Sequence, residues 1–211
     1  MMCELFLKNI YGLMLQGHET SALTMSAALL MLAMHQDVQE KVLQEIEVVF
    51  NSVDEEVDNL KLNELPYLEM VIKECMRLFP VLPMTGRHCS KDIELNTCTI
   101  PAGCTIMINI YNAQRCTKSW GEDAHLFKPE RFSQEHFSKI HPYAYIPFSA
   151  GPRICIGLKY AMNIMKVVLV HFLRNYKITT ALKYHEINLK VAVSLKIVQK
   201  YMIQIETRDF K

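Results

Sequence analysis

The chain has no C-x-x-C pair, no run of basic residues and no apolar stretch of bilayer length, and each absence removes a class of protein. Seven cysteines without paired spacing argue against a zinc module. With no secretory pattern over Met1 to Ile10 they also argue against a disulfide scaffold, so free thiols in a reducing compartment are expected. A net charge of +1 gives no electrostatic case for nucleic acid as a partner. The longest mostly apolar run, Ala22 to Met34, is interrupted by Thr24 and Ser26 and is too short to span a membrane, so it reads as a buried helix. What remains is a chain of 211 residues, 50% hydrophobic and 21% charged, large enough for a substantial core. No repeat, low-complexity segment or linker divides it.

From Glu4 to Met34 there is no proline and little charge among many Leu, Met and Ala, which predicts one long, deeply buried helix. In its middle, Leu13, Gln16, Gly17, Thr20 and Thr24 share one face, small and partly polar. That face either packs on a neighbour or forms a groove, in which Gly17 leaves room and Glu19 and Thr20 supply a carboxylate and a hydroxyl. Asp37 with Glu40 predicts a capping box for a second helix through Phe50, followed by a solvated acidic loop to Asn59. A third helix runs from Pro66, tolerated in a first turn, to Pro80, which ends it. Glu74 and Arg77 stand three apart on it and can pair.

Alternation and turn residues between Arg87 and Ile110 predict a small sheet, 119–147 reads as an irregular meander, and Ile187 to Glu206 reads as two or three strands. A long irregular stretch is uncommon in a compact domain unless it is functional. Here it leads into Phe148-Ser149-Ala150-Gly151-Pro152-Arg153-Ile154-Cys155-Ile156-Gly157, with a helix from Gly157 to about Tyr176 beyond it. A thiolate at Cys155 would face the positive end of that helix, which favours metal ligation. A lone cysteine is more often a small buried hydrophobe, and the spacing decides between the two. F-x-x-G-x-R-x-C-x-G fixes five identities, which this composition would produce by chance roughly once in a hundred thousand such chains.

This loop resembles the haem-ligand signature of the cytochrome P-450 haem-thiolate monooxygenases, and three further motifs agree in order and spacing. Gly17-His18-Glu19-Thr20 resembles the family's oxygen-activating helix. Glu74-x-x-Arg77 before Leu78-Phe79-Pro80 resembles its E-x-x-R helix, and Pro129-Glu130-Arg131-Phe132 its P-E-R-F segment. The run from His141 to Gly157 is especially similar to the microsomal family-four, fatty-acid ω-hydroxylase-like branch. The resemblance covers Met1 to about Arg208 and less than half of the family's fold.

The resemblance implies a mainly α fold with small β-sheets (α+β), the C-terminal haem-binding half of the family's fold truncated at the N-terminus. The parts would be the oxygen-activating helix (1–34), the E-x-x-R helix (65–80), a small sheet (87–110), the meander (119–147), the ligand loop (148–157), a proximal helix (157–176) and C-terminal strands (187–206). It implies haem b with Cys155 as axial iron ligand, Arg87 and Arg153 on the propionates, Phe148 beside the ligand, and Gly151 and Gly157 allowing close approach. Glu19 and Thr20 would form the proton relay to dioxygen, and Glu74, Arg77 and Arg131 a buried structural triad. It also implies a lipophilic substrate, electrons from NADPH through a reductase, and the cytoplasmic face of the endoplasmic reticulum, with membrane association only through the missing N-terminal region. Gln16 stands where the family-four branch often carries an ester-forming Glu, so the haem is expected to be non-covalent. Ile154, Ile164 and Gln114 also depart from common family residues, and none removes the ligand. A catalytically inactive fragment that retains no haem is the alternative that length alone suggests.

Overall fold

The computed structural model describes residues 2–210, with side chains from Leu7 onward. Helix α1 spans Met2–Met34 and is separated from α2, Gln36–Val49, by His35 alone. The expected capping box is not formed: Asp37 falls inside the first turn of α2, and His35 makes no side-chain cap. Two glutamines terminate the first helix instead. Gln36 Nε2 donates to Ala33 O (2.8 Å) and Ile178 O (2.9 Å), and Gln39 Nε2 to Leu32 O (3.0 Å) and Ile178 O (2.7 Å). The last carbonyls of α1 are thereby satisfied without glycine, and the chain turns at once into α2.

The acidic loop ends one residue earlier than expected. Asp58 accepts from the N–H of Leu60 (2.7 Å) and Lys61 (2.9 Å) and caps a short helix α3, Asn59–Asn63. Helix α4, Pro66–Leu78, begins on its proline and stops ahead of Pro80 as expected. Its free N–H groups at Tyr67 and Leu68 donate to the Glu45 carboxylate of α2 at 2.6 and 2.8 Å. Helix α8, Leu158–Asn175, follows the cysteine loop, after the short turns α5 (Ile110–Ala113), α6 (Thr117–Trp120) and α7 (Gln134–Phe137).

Among the described residues, four two-stranded antiparallel sheets attach to this frame. β1 (Met84–His88) pairs with β4 (Thr105–Asn109), Arg87 opposite Ile106, and encloses the hairpin of β2 (Ile93–Glu94) and β3 (Thr99–Ile100). β5 (Tyr176–Thr179) runs straight out of α8 and pairs with β8 (Gln204–Thr207), while β6 (Leu189–Val191) pairs with β7 (Leu195–Ile197). The outcome is a mainly helical α+β fold.

One core joins α2, α4, α8 and the C-terminal half of α1, through Leu30, Met31, Val42, Ile46, Leu68, Ile72, Leu169 and Leu173. The long helix is not buried throughout. From Leu7 to Gly17 it is largely exposed, Leu13, Met14 and Leu15 at 60%, 66% and 71%, whereas from Ser21 onward it is mostly packed. The apolar sequence is there, but among the described residues α2, α4, α8 and β5 cover only the later turns. No described helix is long and apolar enough to cross a membrane. The meander has its own small core of Trp120, Ala124, Phe132 and Ala144, with Phe137 and Tyr145 edge-on to each other.

Candidate haem-thiolate site

The cysteine loop is closed on itself by backbone bonds. Cys155 N–H donates to Phe148 O at 2.9 Å, Ser149 N–H to Ile146 O at 3.0 Å and Ile154 N–H to Gly151 O at 3.1 Å. Gly151 has φ +74°, a left-handed conformation that explains a glycine there. Gly157 needs no such freedom, and an added Cβ would lie 3.8 Å from Cys155 Sγ, over the thiol. A side chain there would rest against the sulfur at ordinary contact distance. Cys155 is exposed and forms no disulfide, and its Sγ has no hydrogen-bond partner among the described residues. Around it Ile154 and Ile156 are 50% and 92% exposed. A thiol presented at the start of α8, flanked by uncovered apolar side chains and a bare glycine, fits a flat hydrophobic group carrying a soft metal.

Arg87 reaches the same loop from β1: its NH2 donates to Ser149 Oγ at 3.0 Å and its NH1 to Thr85 Oγ1 at 3.0 Å. Arg153 is exposed and unpaired among the described residues. One guanidinium therefore borders the loop and a second belongs to it, both of a kind that pairs with carboxylates. Phe148 is half-buried and, with Leu158, Met162 and Lys159, lines an open cleft of about 540 Å³.

Behind the loop, Arg77 and Glu74 form a bidentate pair, Nε to Oε2 at 2.6 Å and NH2 to Oε1 at 2.8 Å, both side chains fully buried. Arg131 brings its Nε to 3.7 Å from Glu74 Oε1, and Lys128 N–H donates to the same oxygen at 2.8 Å. Burial pushes the Glu74 carboxyl upward, while the Arg77 guanidinium, the Lys128 N–H and Arg131 pull against it. Arg131 is itself held by Asp123 at 2.7 Å, whose carboxyl is lowered to about 2 by Lys128 and Arg131.

On α1, Thr20 Oγ1 donates to Gln16 O at 2.6 Å, the bond of a hydroxyl folded back on its own helix. Glu19 does not stand alone. Its Oε1 accepts from Ser194 Oγ at 3.0 Å and pairs with Lys196 Nζ at 2.7 Å. No hydrogen bond or ion pair among the described residues joins Glu19 or Thr20 to the cysteine loop.

Nothing local in the sequence marks Ser194 and Lys196 as partners of Glu19, since they lie far along the chain, in the bend before β7 and on β7 itself. Gln114 stands out there only as a departure from a common family residue. In the fold it is fully buried; its Nε2 donates to Met76 O (2.9 Å) and Arg77 O (3.1 Å), and its Oε1 accepts from Ile146 N–H (3.1 Å). One amide thus ties the end of α4 to the approach to the cysteine loop. Gln114→Leu orphans these groups at about 1–3 kcal/mol each, so a clear fall in thermal midpoint is expected by calorimetry, whereas an unchanged midpoint would mean that water replaces the amide.

Comparison with known proteins agrees with this geometry. Residues 4–203 match the family model described as Cytochrome P450. The chain is 40% identical over 194 residues to "Probable cytochrome P450 313a1" of Drosophila melanogaster, covering 91% of this chain and 39% of that protein. It is 36% identical over 195 residues to "Probable cytochrome P450 4ac1" of the same organism, covering 92% of this chain and 38% of that protein. It is 37% identical over 196 residues to "Cytochrome P450 3A13" of Mus musculus, covering 92% and 38%. The chain spans less than half the length of these curated relatives. A family match over nearly all of the chain, falling on a fold that presents an open thiol before a helix, leaves one assignment: the chain belongs to the cytochrome P450 family.

Proposed function

We propose that this chain forms the haem-thiolate portion of a monooxygenase that places one atom of dioxygen into a lipophilic substrate, with electrons drawn from NADPH through a reductase. The observation that carries the reading is Cys155: exposed, unpartnered, before α8, and bordered by Arg87 and Arg153. Bound there, haem would supply dioxygen activation and oxygen transfer. Cys155 would hold the iron, the two arginines would hold the propionates, and Phe148 would shield the sulfur. Gln16 presents an amide, which does not readily form an ester, so the group would be held without a covalent tether. Thr20 would donate its hydroxyl proton toward the oxygen side once released from Gln16 O, and Glu19 would pass protons in from solvent. Glu74, Arg77 and Arg131 would fix the core beneath the ligand loop.

The apolar cleft between β1, β4, β6 and β7, about 340 Å³ and lined by Met84, Tyr111, Leu189, Val191 and Leu195, suits a lipophilic substrate. The exposed Lys159, at the cleft beside Phe148 and Leu158, offers positive charge to an acidic reductase surface. A place at the cytoplasmic face of the endoplasmic reticulum membrane belongs to the same reading. The test is haem titration of the chain followed by reduction and carbon monoxide. A red-shifted thiolate-type Soret band is expected. No haem uptake would overturn function of these residues by themselves and leave the inactive-fragment reading.

A further inference from the structure

The contact between Glu19 and the last strands joins residues 175 positions apart, and nothing in the packing of the core requires it. Both partners meet the same oxygen: Ser194 Oγ at 3.0 Å and Lys196 Nζ at 2.7 Å from Oε1. Among the described residues Oε2 has no partner. Lys196 and Leu195 alternate on β7 and Ser194 lies in the bend just before it, so one short segment serves two purposes. Ser194 and Lys196 share the side facing α1, while Leu195 between them points away, is 5% exposed and lines the apolar cleft. The strand is pinned in place, because Leu195 N–H donates to Val81 O at 2.8 Å.

We propose that Lys196, with Ser194, is a positioning residue for Glu19, fixing Oε1 and leaving Oε2 as the oxygen that carries protons. The inference rests on the reading of Glu19 as the relay acid. It adds the groups that aim it. The groups whose charge acts on Glu19 are Lys196 on β7, which faces it, and to a lesser degree the adjacent His18 on α1, and both favour the carboxylate. The carboxyl is lowered chiefly by the hydrogen bond from Lys196, then by that from Ser194 and the charge of Lys196. Glu19 and Lys196 side chains are 44% and 51% exposed, so solvent screens the pair and it contributes little to stability. A group so placed orients its partner more than it holds the fold.

Sign follows from direction. With its folded value lowered, Glu19 stays ionised to lower pH than a free glutamate, and loss of Lys196 moves its titration upward. The experiment is carboxyl-carbon NMR titration of the haem-free chain, with the Glu19 signal assigned by its disappearance in Glu19→Gln. Lys196→Met is expected to shift the Glu19 midpoint upward and to leave the melting temperature nearly unchanged. Lys196→Arg should keep the low midpoint, and Ser194→Ala should give a smaller upward shift. A Glu19 midpoint that is the same in Lys196→Met as in the unaltered chain overturns the proposal, as does one that Ser194→Ala moves while Lys196→Met does not. Because no haem is present, failure of haem uptake and failure of this pairing are read separately.

Discussion

Arg77→Met is expected to destabilise the chain by about 3–5 kcal/mol, the usual cost of removing one member of a buried ion pair. For a domain of this size that corresponds to a fall in melting temperature on the order of 6–20 °C by calorimetry. Every donor of the guanidinium is committed. Besides the two bonds to Glu74, NH1 donates to Gln114 O at 3.0 Å and Ala124 O at 2.6 Å, NH2 to Leu126 O at 3.2 Å, and the cation lies 4.9 Å from the centre of the Trp120 ring. Methionine fills the space but leaves the Glu74 carboxylate with only Lys128 N–H and the more distant Arg131. Burial already pushes that carboxyl upward, and loss of the arginine removes the strongest influence opposing that shift. The carbonyls of Gln114, Ala124 and Leu126 lose this donor at the same time. Glu74→Gln with Arg77→Met should cost much less than the sum of the two single changes, because the second removes the orphan created by the first. Lys41→Met, which breaks the exposed Lys41–Glu130 pair, should change stability by no more than about 0.5 kcal/mol. A melting temperature for Arg77→Met as little changed as that of Lys41→Met would refute the account.

Local rules make much of this fold legible. Pro66 and Pro80 bracket α4, alternation marks β4 though not the first residues of β1, and a spacing of three lets Glu74 meet Arg77. Glycine, proline and hydrophobic period act within a few residues, and a sequence records them directly. What stays hidden depends on partners far along the chain. The turn between α1 and α2 is secured by Gln36 and Gln39 reaching Ile178 O, and no local pattern announces that. Gln114 reads only as a departure from a common family residue until its three backbone partners assemble around it. The early turns of α1 mislead for the opposite reason. Their composition states that they can be buried, not that anything within these residues covers them. At the site, Cys155 is marked by five fixed identities, and Arg131 by its motif. Ser194 and Lys196 carry no mark, because a bend and strand that hold a carboxylate look like any other.

Cys155→Ser is expected to abolish the red-shifted carbon monoxide band of the reduced, haem-loaded chain while leaving the stability of the haem-free chain within about 0.5 kcal/mol of the unaltered protein's, read from the melting temperature. The two halves of this result depend on different atoms. Position 155 holds the loop through its backbone, its N–H to Phe148 O and its own O accepting from Leu158 N–H at 3.4 Å, and serine keeps both. The exposed Sγ makes no packing contact on which the core relies, so the fold has little to lose. The ligand chemistry has everything to lose. A thiolate is a soft, charged donor that pushes electron density onto haem iron, and the red shift of the band depends on that donation. A serine hydroxyl stays protonated at neutral pH and binds as a hard, weak ligand. Cys75 is fully buried and its thiol is pushed well up by burial and by the Glu74 charge, so it does not supply a thiolate. Loss of the band with an intact fold therefore places the ligand at Sγ of residue 155, whereas a band that survives in Cys155→Ser would remove that residue from the iron and with it the reading of the loop.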